Sequence, residues 1–152
     1  MERLNIDLGG SLIDATLSEL GAFPGPVTGD EVNGNDLPFV PDYNYNVSVQ
    51  YQTAEFENGM SLIARMDWVR YGRIWWTITN LEEQSQKPYS LLNLRLSLVR
   101  DNWRLTGFVD NATDTEYDTF CFSHDFISSP FGVDPCFDGT PRRYGIELSK
   151  DF

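Results

Sequence analysis

Ten residues in the first third of the chain alternate strictly between apolar and polar side chains. From 43 to 52 every odd position is Tyr or Val, and every even position is Asn, Ser or Gln. Because successive side chains of a strand point to opposite faces, a period of two indicates a β-strand with one apolar and one polar face. This alternation restricts the chain to folds that contain long, two-faced strands.

The same period recurs along the chain and predicts about six strands. The other alternating segments are residues 4–8, continuing toward Leu17, and residues 60–71, 92–99, 103–109 and 144–152. The connections alternate between long and short: residues 20–42, 57–59, 79–87, 101–102 and 118–140. Within the first short one, Asn58-Gly59 is typical of a tight hairpin with positive φ angles. The sequence therefore predicts an all-β fold, an antiparallel up-and-down meander of about six long strands.

The length of the strands and the position of all long loops at one end favour part of a transmembrane β-barrel wall. Six strands would form an incomplete barrel. About 10 residues cross a bilayer at a tilt, and outer-membrane barrels alternate short turns with long external loops. Aromatic rings concentrate toward the strand ends, where such barrels carry girdles. The alternative is that these rings form the core of a soluble β protein. The rings concerned are Tyr43, Tyr51, Trp68, Trp75, Trp76, Tyr89, Trp103, Tyr117, Tyr144 and Phe152.

Composition and short motifs exclude several functions. A net charge of −12 argues against a nucleic-acid partner, since binding phosphates needs a positive surface. No apolar run reaches the length of a spanning helix, and the first seven residues predict no signal peptide. Ser123, His124 and Asp125 are adjacent, whereas the members of a catalytic triad usually meet through the fold. We therefore expect no enzyme, no metal and no cofactor.

Cys121 and Cys136 lie 15 residues apart in a stretch rich in Gly, Pro, Asp and Ser. A disulfide in an oxidising compartment is the favoured interpretation. A zinc site is the weaker alternative, because four ligands in a standard pattern cannot be assembled around His124, the one histidine of the chain.

Several segments together resemble a known family. They are Tyr89 to Leu96, Trp103-Arg104-Leu105, Val109 to Tyr117, Pro141 to Leu148 with the final Phe152, and Leu37 to Pro41 upstream. The segment from Val109 to Tyr117 is similar to a "v-x-N-l-x-D-x-x-Y" motif, with Ala112-Thr113 where Leu and Phe are usual. The chain resembles the C-terminal β-barrel portion of a TonB-dependent outer-membrane receptor.

The resemblance implies a bacterial outer-membrane receptor for a ligand such as an iron chelate, cobalamin or a glycan. Its members have 22-stranded barrels with an N-terminal plug, so residues 1–152 are expected to be a C-terminal barrel segment without plug or signal peptide. Implied partners are membrane lipid, the rest of the barrel and plug, the barrel-assembly machinery, an unknown small-molecule ligand and, through the missing N-terminal part, TonB. The alternative is a secreted β-sandwich carbohydrate-binding module.

The resemblance to this family also implies roles for individual residues. Charge is tolerated in the lumen and is costly toward lipid, so the lumen-facing candidates are Arg65, Asp67, Arg95, Arg104 and Glu147. The expected C-terminal assembly signal is Tyr144, Ile146, Leu148 and Phe152, with Lys150 as a departure from its pattern. The short turns are then periplasmic and the long loops external, where Cys121 and Cys136 can form a bridge.

Overall fold

The computed structural model describes residues 2–18, 32–121 and 135–152, and these residues form ten strands. A short 3₁₀ helix, Glu82–Gln84, lies between β4 and β5. The strands are β1 (Arg3–Leu12), β2 (Tyr43–Gln52), β3 (Met60–Tyr71), β4 (Ile74–Trp75), β5 (Ser85–Gln86), β6 (Tyr89–Arg100), β7 (Trp103–Asp110), β8 (Asp118–Cys121), β9 (Cys136–Asp138) and β10 (Arg143–Lys150). Within these residues, no helix is both long and apolar enough to cross a membrane.

Six long strands form one antiparallel sheet in the order β1-β2-β3-β6-β7-β10. Each strand pairs with the next long strand along the chain, so the sheet is an up-and-down meander. The pairs β4–β5 and β8–β9 form two small separate sheets. The sheet is an unclosed part of a barrel wall, which confirms the predicted fold class and strand number.

The register separates side chains into a polar face and an apolar face. The row Asn5, Gln50, Arg65, Arg95 and Phe108 lies on the polar face. One residue further along, the row Leu4, Tyr51, Ala64, Leu96, Gly107 and Ile146 lies on the apolar face. The alternation that predicted the strands therefore persists across all six of them.

Large side chains of the apolar face are exposed, as Leu8 (74%), Leu96 (52%) and Ile146 (79%) show. On the polar face, by contrast, Ser97 and Thr106 are buried and their hydroxyls are 2.8 Å apart. In the described residues no second sheet packs on the apolar face. The alternatives of a β-sandwich and of a soluble β core are therefore wrong for this part of the chain.

Short connections lie at one end of the sheet, which we call the turn end. Residues 101–102 join β6 to β7 as predicted. The regular ladder between β2 and β3 ends at the pair Gln52 and Ile63, so the connection covers residues 53–59 and is longer than predicted. Hydrogen bonds from Thr53 N–H to Leu62 O and from Phe56 N–H to Met60 O nevertheless continue the pairing as far as residue 56. The tight hairpin predicted at residues 57–59 is present, because Gly59 N–H donates to Phe56 O (2.9 Å) and Phe56 N–H donates to Met60 O (2.7 Å). Gly59 has the expected positive φ, 76°, whereas Asn58 does not, so that detail of the prediction is wrong.

The first strand is also shorter than predicted. Its ladder with β2 ends at the pair Leu12 and Tyr43, and pairing returns in an isolated bridge between Thr16 and Asp36. Pro38 and Pro41 lie opposite this interval. Because proline has no backbone N–H, it cannot complete a ladder, which explains why the strand does not reach Leu17.

Candidate functional site

The long connections fold against one another at the other end of the sheet. We call residues 13–18, 32–42, 72–88, 111–121 and 135–142 the loop assembly. Asp36 accepts a hydrogen bond from the indole of Trp75 (2.9 Å), and its backbone N–H donates to Asn80 Oδ1 (2.6 Å). Phe39 N–H donates to Trp75 O at 2.9 Å. The first two long connections are thus tied together by specific polar contacts.

An aromatic cluster lies at the centre of the loop assembly and joins all three connections. Trp76 is 6% exposed, and its ring centroid is 5.9 Å from that of Phe39 and 6.2 Å from that of Phe120. Phe120 stacks in turn on Phe137 at 6.5 Å. Within the described part of the chain, Trp76 Nε1 has no hydrogen-bond partner. Ring packing therefore holds the third connection to the other two.

Phe39 combines backbone strain with exposure. Its φ is 65°, in the left-handed region that bulky residues rarely adopt. Its side chain is nevertheless 57% exposed. Strained residues of this kind persist where the surrounding structure fixes them, and they cluster at ligand-binding sites. In the sequence, Phe39 stands out only by its place between Pro38 and Pro41 in the family-like segment from Leu37 to Pro41.

Cys121 and Cys136 are joined by a disulfide across the β8–β9 pair. Asp118 lies with both sulfur atoms in a group close enough to hold a metal ion. Cysteines bonded to each other are not thiolates and cannot serve as zinc ligands, so the zinc alternative loses two of its ligands. Ser123, His124, Asp125 and Asp134 lie outside the described residues.

A cavity of about 910 Å³ opens beside this hairpin. Its acidic lining comprises Asp114, Glu116, Asp118 and Asp138, and Lys87 also contributes. Asp118 and Asp138 are cross-strand partners. Burial, together with the nearby Asp138 charge, raises the pKa of Asp118 above its ordinary value. In the second long connection, the hydrogen-bonded ion pair with Arg73 lowers the pKa of Glu82.

Asn111 fixes the base of the third connection. It is 4% exposed and has a φ of 49°. Its side chain donates to the carbonyls of Thr115 (2.9 Å) and Thr140 (3.2 Å), and it accepts from Thr115 N–H at 2.9 Å. Asp114 accepts from Arg142 N–H at 3.1 Å. The Asn and Asp of the family-like segment are thus structural residues that close a turn.

All five lumen candidates share the polar face, and the structure brings some of them together. Arg65 and Asp67 form an ion pair at 2.7 Å, and Asp67 also accepts from Ser48. Arg95 lies near Asp110 (3.6 Å), which also binds Arg143 at 3.0 Å. Arg104 lies opposite Val99 and Ser149, and Glu147 lies opposite Thr106. The sequence prediction omits Arg143, although Arg143 and Glu147 are both odd-numbered residues of β10 and therefore lie on the same face.

Aromatic side chains on the apolar face follow the girdle prediction in part. Tyr43, Tyr45 and Trp68 lie toward the loop end, and Tyr51 and Trp103 lie toward the turn end. Tyr144 does not follow the prediction, since it lies in the row of Leu94 and Met66, near the middle of β6 and β3. The prediction is wrong for three other rings. Trp76 is buried in the aromatic cluster, and Tyr89 stacks on Tyr117 with centroids 4.6 Å apart beside the polar face.

The expected assembly-signal residues have the exposure of a lipid-facing strand. Tyr144, Ile146 and Leu148 share the apolar face and are 80%, 79% and 64% exposed. Phe152 follows the strand and is fully exposed. Lys150 lies on the same face, with its ammonium 4.6 Å from the ring centroid of Trp103 and 5.1 Å from that of Phe152. Recognition of this segment by assembly factors stays a prediction.

Comparison with known proteins decides the family. Residues 6–112 match the family described as TonB dependent receptor-like, β-barrel. The chain belongs to this family of TonB-dependent receptor barrels. One solved structure with the same fold is the ferric yersiniabactin uptake receptor FyuA from Yersinia pestis, at a TM-score of 0.68 and 24% identity. The match covers 80% of this chain and 18% of FyuA, so the chain spans less than a fifth of that receptor.

Membership in the receptor-barrel family confirms the resemblance seen in the sequence. It also explains why the sheet is unclosed, since a barrel wall of six strands needs further strands at both edges. The family is one of transport receptors rather than enzymes.

Proposed function

We propose that this chain forms the C-terminal wall of an outer-membrane receptor that binds a ligand at its external loops and passes it through the barrel lumen. The loop assembly is the external end, the polar face lines the lumen, and the apolar face meets lipid. The remaining strands and a plug domain complete the receptor, and TonB couples it to energy. The FyuA match favours a ferric chelate over cobalamin or a glycan as the ligand.

One observation carries the proposal: the register sorts the side chains of all six strands into opposite faces. Arg65, Asp67 and Arg95 lie on one face, while Leu8, Leu96 and Ile146 are exposed on the other. A charge facing lipid at mid-bilayer costs about 2 to 4 kcal/mol, and an exposed leucine in water loses the benefit of burial. A bilayer on one side and an aqueous lumen on the other satisfy both faces.

The loop assembly is suited to ligand binding because it is ordered by contacts among the connections and still presents exposed rings. Phe39 and Phe137 are each 57% exposed. Phe39 packs against Trp76 and Phe120, and Phe137 stacks on Phe120 next to the disulfide. Rings held in place by packing offer contact area with little loss of conformational entropy on binding.

The test uses the complete receptor gene that encodes this chain, expressed in a bacterium lacking its own receptor for the probe. We expect outer-membrane fractionation of the receptor and TonB-dependent uptake of radiolabelled ferric yersiniabactin. Phe39→Ala should weaken probe binding about tenfold, since a stacked ring contributes on the order of 1 kcal/mol or more. Binding is measured on whole cells at 4 °C.

Phe56→Ala is the matched control, because Phe56 is 49% exposed in the turn at the opposite end of the sheet. It should leave binding unchanged. Recovery of the receptor in the soluble fraction would contradict the membrane assignment. Equal binding by wild type, Phe39→Ala and Phe56→Ala would contradict the assignment of the loop end as the ligand-binding end. Uptake of cyanocobalamin but not of the iron probe would change the ligand class.

A further inference from the structure

We propose that the apolar face carries a binding site for one anionic phospholipid of the periplasmic leaflet, formed by β6, β7 and β10. The inference rests on the proposed function, because it needs this face to lie in a membrane with its turn end toward the periplasm. The site has a cationic row at the turn end and an open apolar groove above it.

The cationic row consists of Arg100, Trp103 and Lys150. Trp103 pairs with Arg100 on one side and with Lys150 on the other, so it separates two positive charges. Arg100 approaches Asp101 only to 3.9 Å, too far for a hydrogen bond, which leaves its guanidinium donors available to another acceptor. Two cations around an indole, at the level where rings meet lipid headgroups, suit a phosphate group.

Aliphatic side chains continue from this row toward the middle of the wall. The next row on the same face is Leu98, Leu105 and Leu148, and the following one is Leu96, Gly107 and Ile146. A groove of about 570 Å³ crosses the sheet at the latter row, from Tyr144 and Ile146 on β10 to Val49 and Tyr51 on β2. The surface is thus charged at its end and apolar along its length.

Gly107 is the feature that points to an occupant. Glycine weakens a strand interior, and it often marks a place where another molecule approaches closely. Gly107 has no positive φ to require it, and a Cβ built there would meet nothing within 4 Å. The other glycines of the six-stranded sheet, Gly9, Gly10 and Gly145, are covered by side chains of neighbouring strands. Only at Gly107 does the missing side chain leave a space open to the membrane.

The dimensions fit one leaflet. At about 3.4 Å per residue, Lys150 lies about 14 Å along β10 from Ile146 and about 20 Å from Tyr144. With a strand tilt of about 40°, the longer distance corresponds to about 15 Å along the membrane normal, which is half of the hydrocarbon core. A phosphate at Lys150 and an acyl chain ending near Tyr144 therefore occupy the site from headgroup to midplane.

The experiment measures lipid binding to the complete, purified and delipidated receptor by native mass spectrometry. The probes are phosphatidylglycerol and phosphatidylethanolamine with identical acyl chains. We expect wild type to bind phosphatidylglycerol about tenfold more tightly. Arg100→Gln combined with Lys150→Gln should reduce this preference to less than about twofold. Gly107→Leu, which the open space accommodates, should weaken both lipids about equally and keep the preference.

Arg70→Gln is the matched control, because Arg70 is a cation on the same face at the loop end, bound to Ser90. It should bind both lipids as wild type does. Equal binding of the two lipids by wild type, or an unchanged preference in the double variant, would overturn the inference. So would a receptor dimer that Gly107→Leu dissociates, since a second copy would then occupy the groove. A receptor absent from the outer membrane would instead contradict the proposed function.

Discussion

The two ends of the six-stranded sheet are held together by different means. At the turn end, Thr53 bonds to Leu62 and Asn102 bonds to Asp151, so each contact lies between adjacent strands. At the loop end, Asp36 of the first long connection bonds to Trp75 and Asn80 of the second, so these contacts join two connections rather than two paired strands. The turn end needs only neighbouring strands, whereas the loop end needs several connections to fold together.

This difference separates the constraints on the sequence of the strands from those on the sequence of the loop assembly. The turn end and the strands form a wall that depends on alternation, and many sequences satisfy it. The loop assembly depends on a few specific side chains around Trp76 and Asn111. Under the proposed function, ligand specificity can change at the loop end without a change in the wall, as is general for binding sites on loops carried by rigid scaffolds.

The largest effect is expected at the centre of the loop assembly. Trp76→Ala removes the ring between Phe39 and Phe120 and should destabilise the loop assembly by about 3 to 5 kcal/mol. Hydrogen exchange should show lost protection in residues 35–42 and 72–88, with the six strands still protected. Loss of protection in the strands as well would show that the two ends are not independent.

Trp76→Phe is the matched control for that substitution. It keeps an aromatic ring and removes the indole N–H, which is buried without a partner in the described residues. Because an unsatisfied buried donor costs about 1 to 3 kcal/mol, we expect this variant to be as stable as wild type or more so. A loss as large as that of Trp76→Ala would mean that the indole has a polar role.

The sequence was sufficient for the wall and insufficient for the loop assembly. The alternation of residues 43–52 and 92–99 depends only on the geometry of one strand, so strand positions and faces were predictable. No alternation of apolar and polar residues predicts the contact of Asp36 with Asn80 or the burial of Trp76. The girdle prediction includes Trp76 because an aromatic residue near a strand end has the same sequence pattern in a girdle and in a buried cluster.

An intermediate effect is expected in the wall itself. Ser97 and Thr106 are buried and bonded to each other on the polar face. Ser97→Ala alone leaves the Thr106 hydroxyl without this partner and should cost about 1 to 3 kcal/mol, while Ser97→Ala with Thr106→Val should cost less than the sum of the single changes. Denaturant titration of the complete barrel in vesicles measures the coupling. Strictly additive losses would mean that the two hydroxyls do not interact.

The smallest effect concerns pH at the loop end. The pKa of Asp118 is raised by burial and by Asp138, so the folded state holds this proton more tightly than the unfolded chain. Its contribution to stability is therefore greatest below the ordinary carboxyl pKa and declines as pH rises through the raised value. Asp118→Asn should remove that decline. Hydrogen exchange of residues 117–121 between pH 3 and pH 7, corrected for intrinsic rates, measures the decline as a small change in protection.

Glu82 provides the opposite sign within the same loop assembly. Its pKa is lowered by Arg73, so its contribution is present above the ordinary carboxyl pKa and is lost as pH falls through the lowered value. Glu82→Gln should therefore change the low-pH side of the profile for residues 73–85 and leave residues 117–121 unaffected. If both substitutions change both segments, the loop end is one electrostatic unit. If each changes only its own segment, ring packing rather than charge couples the connections.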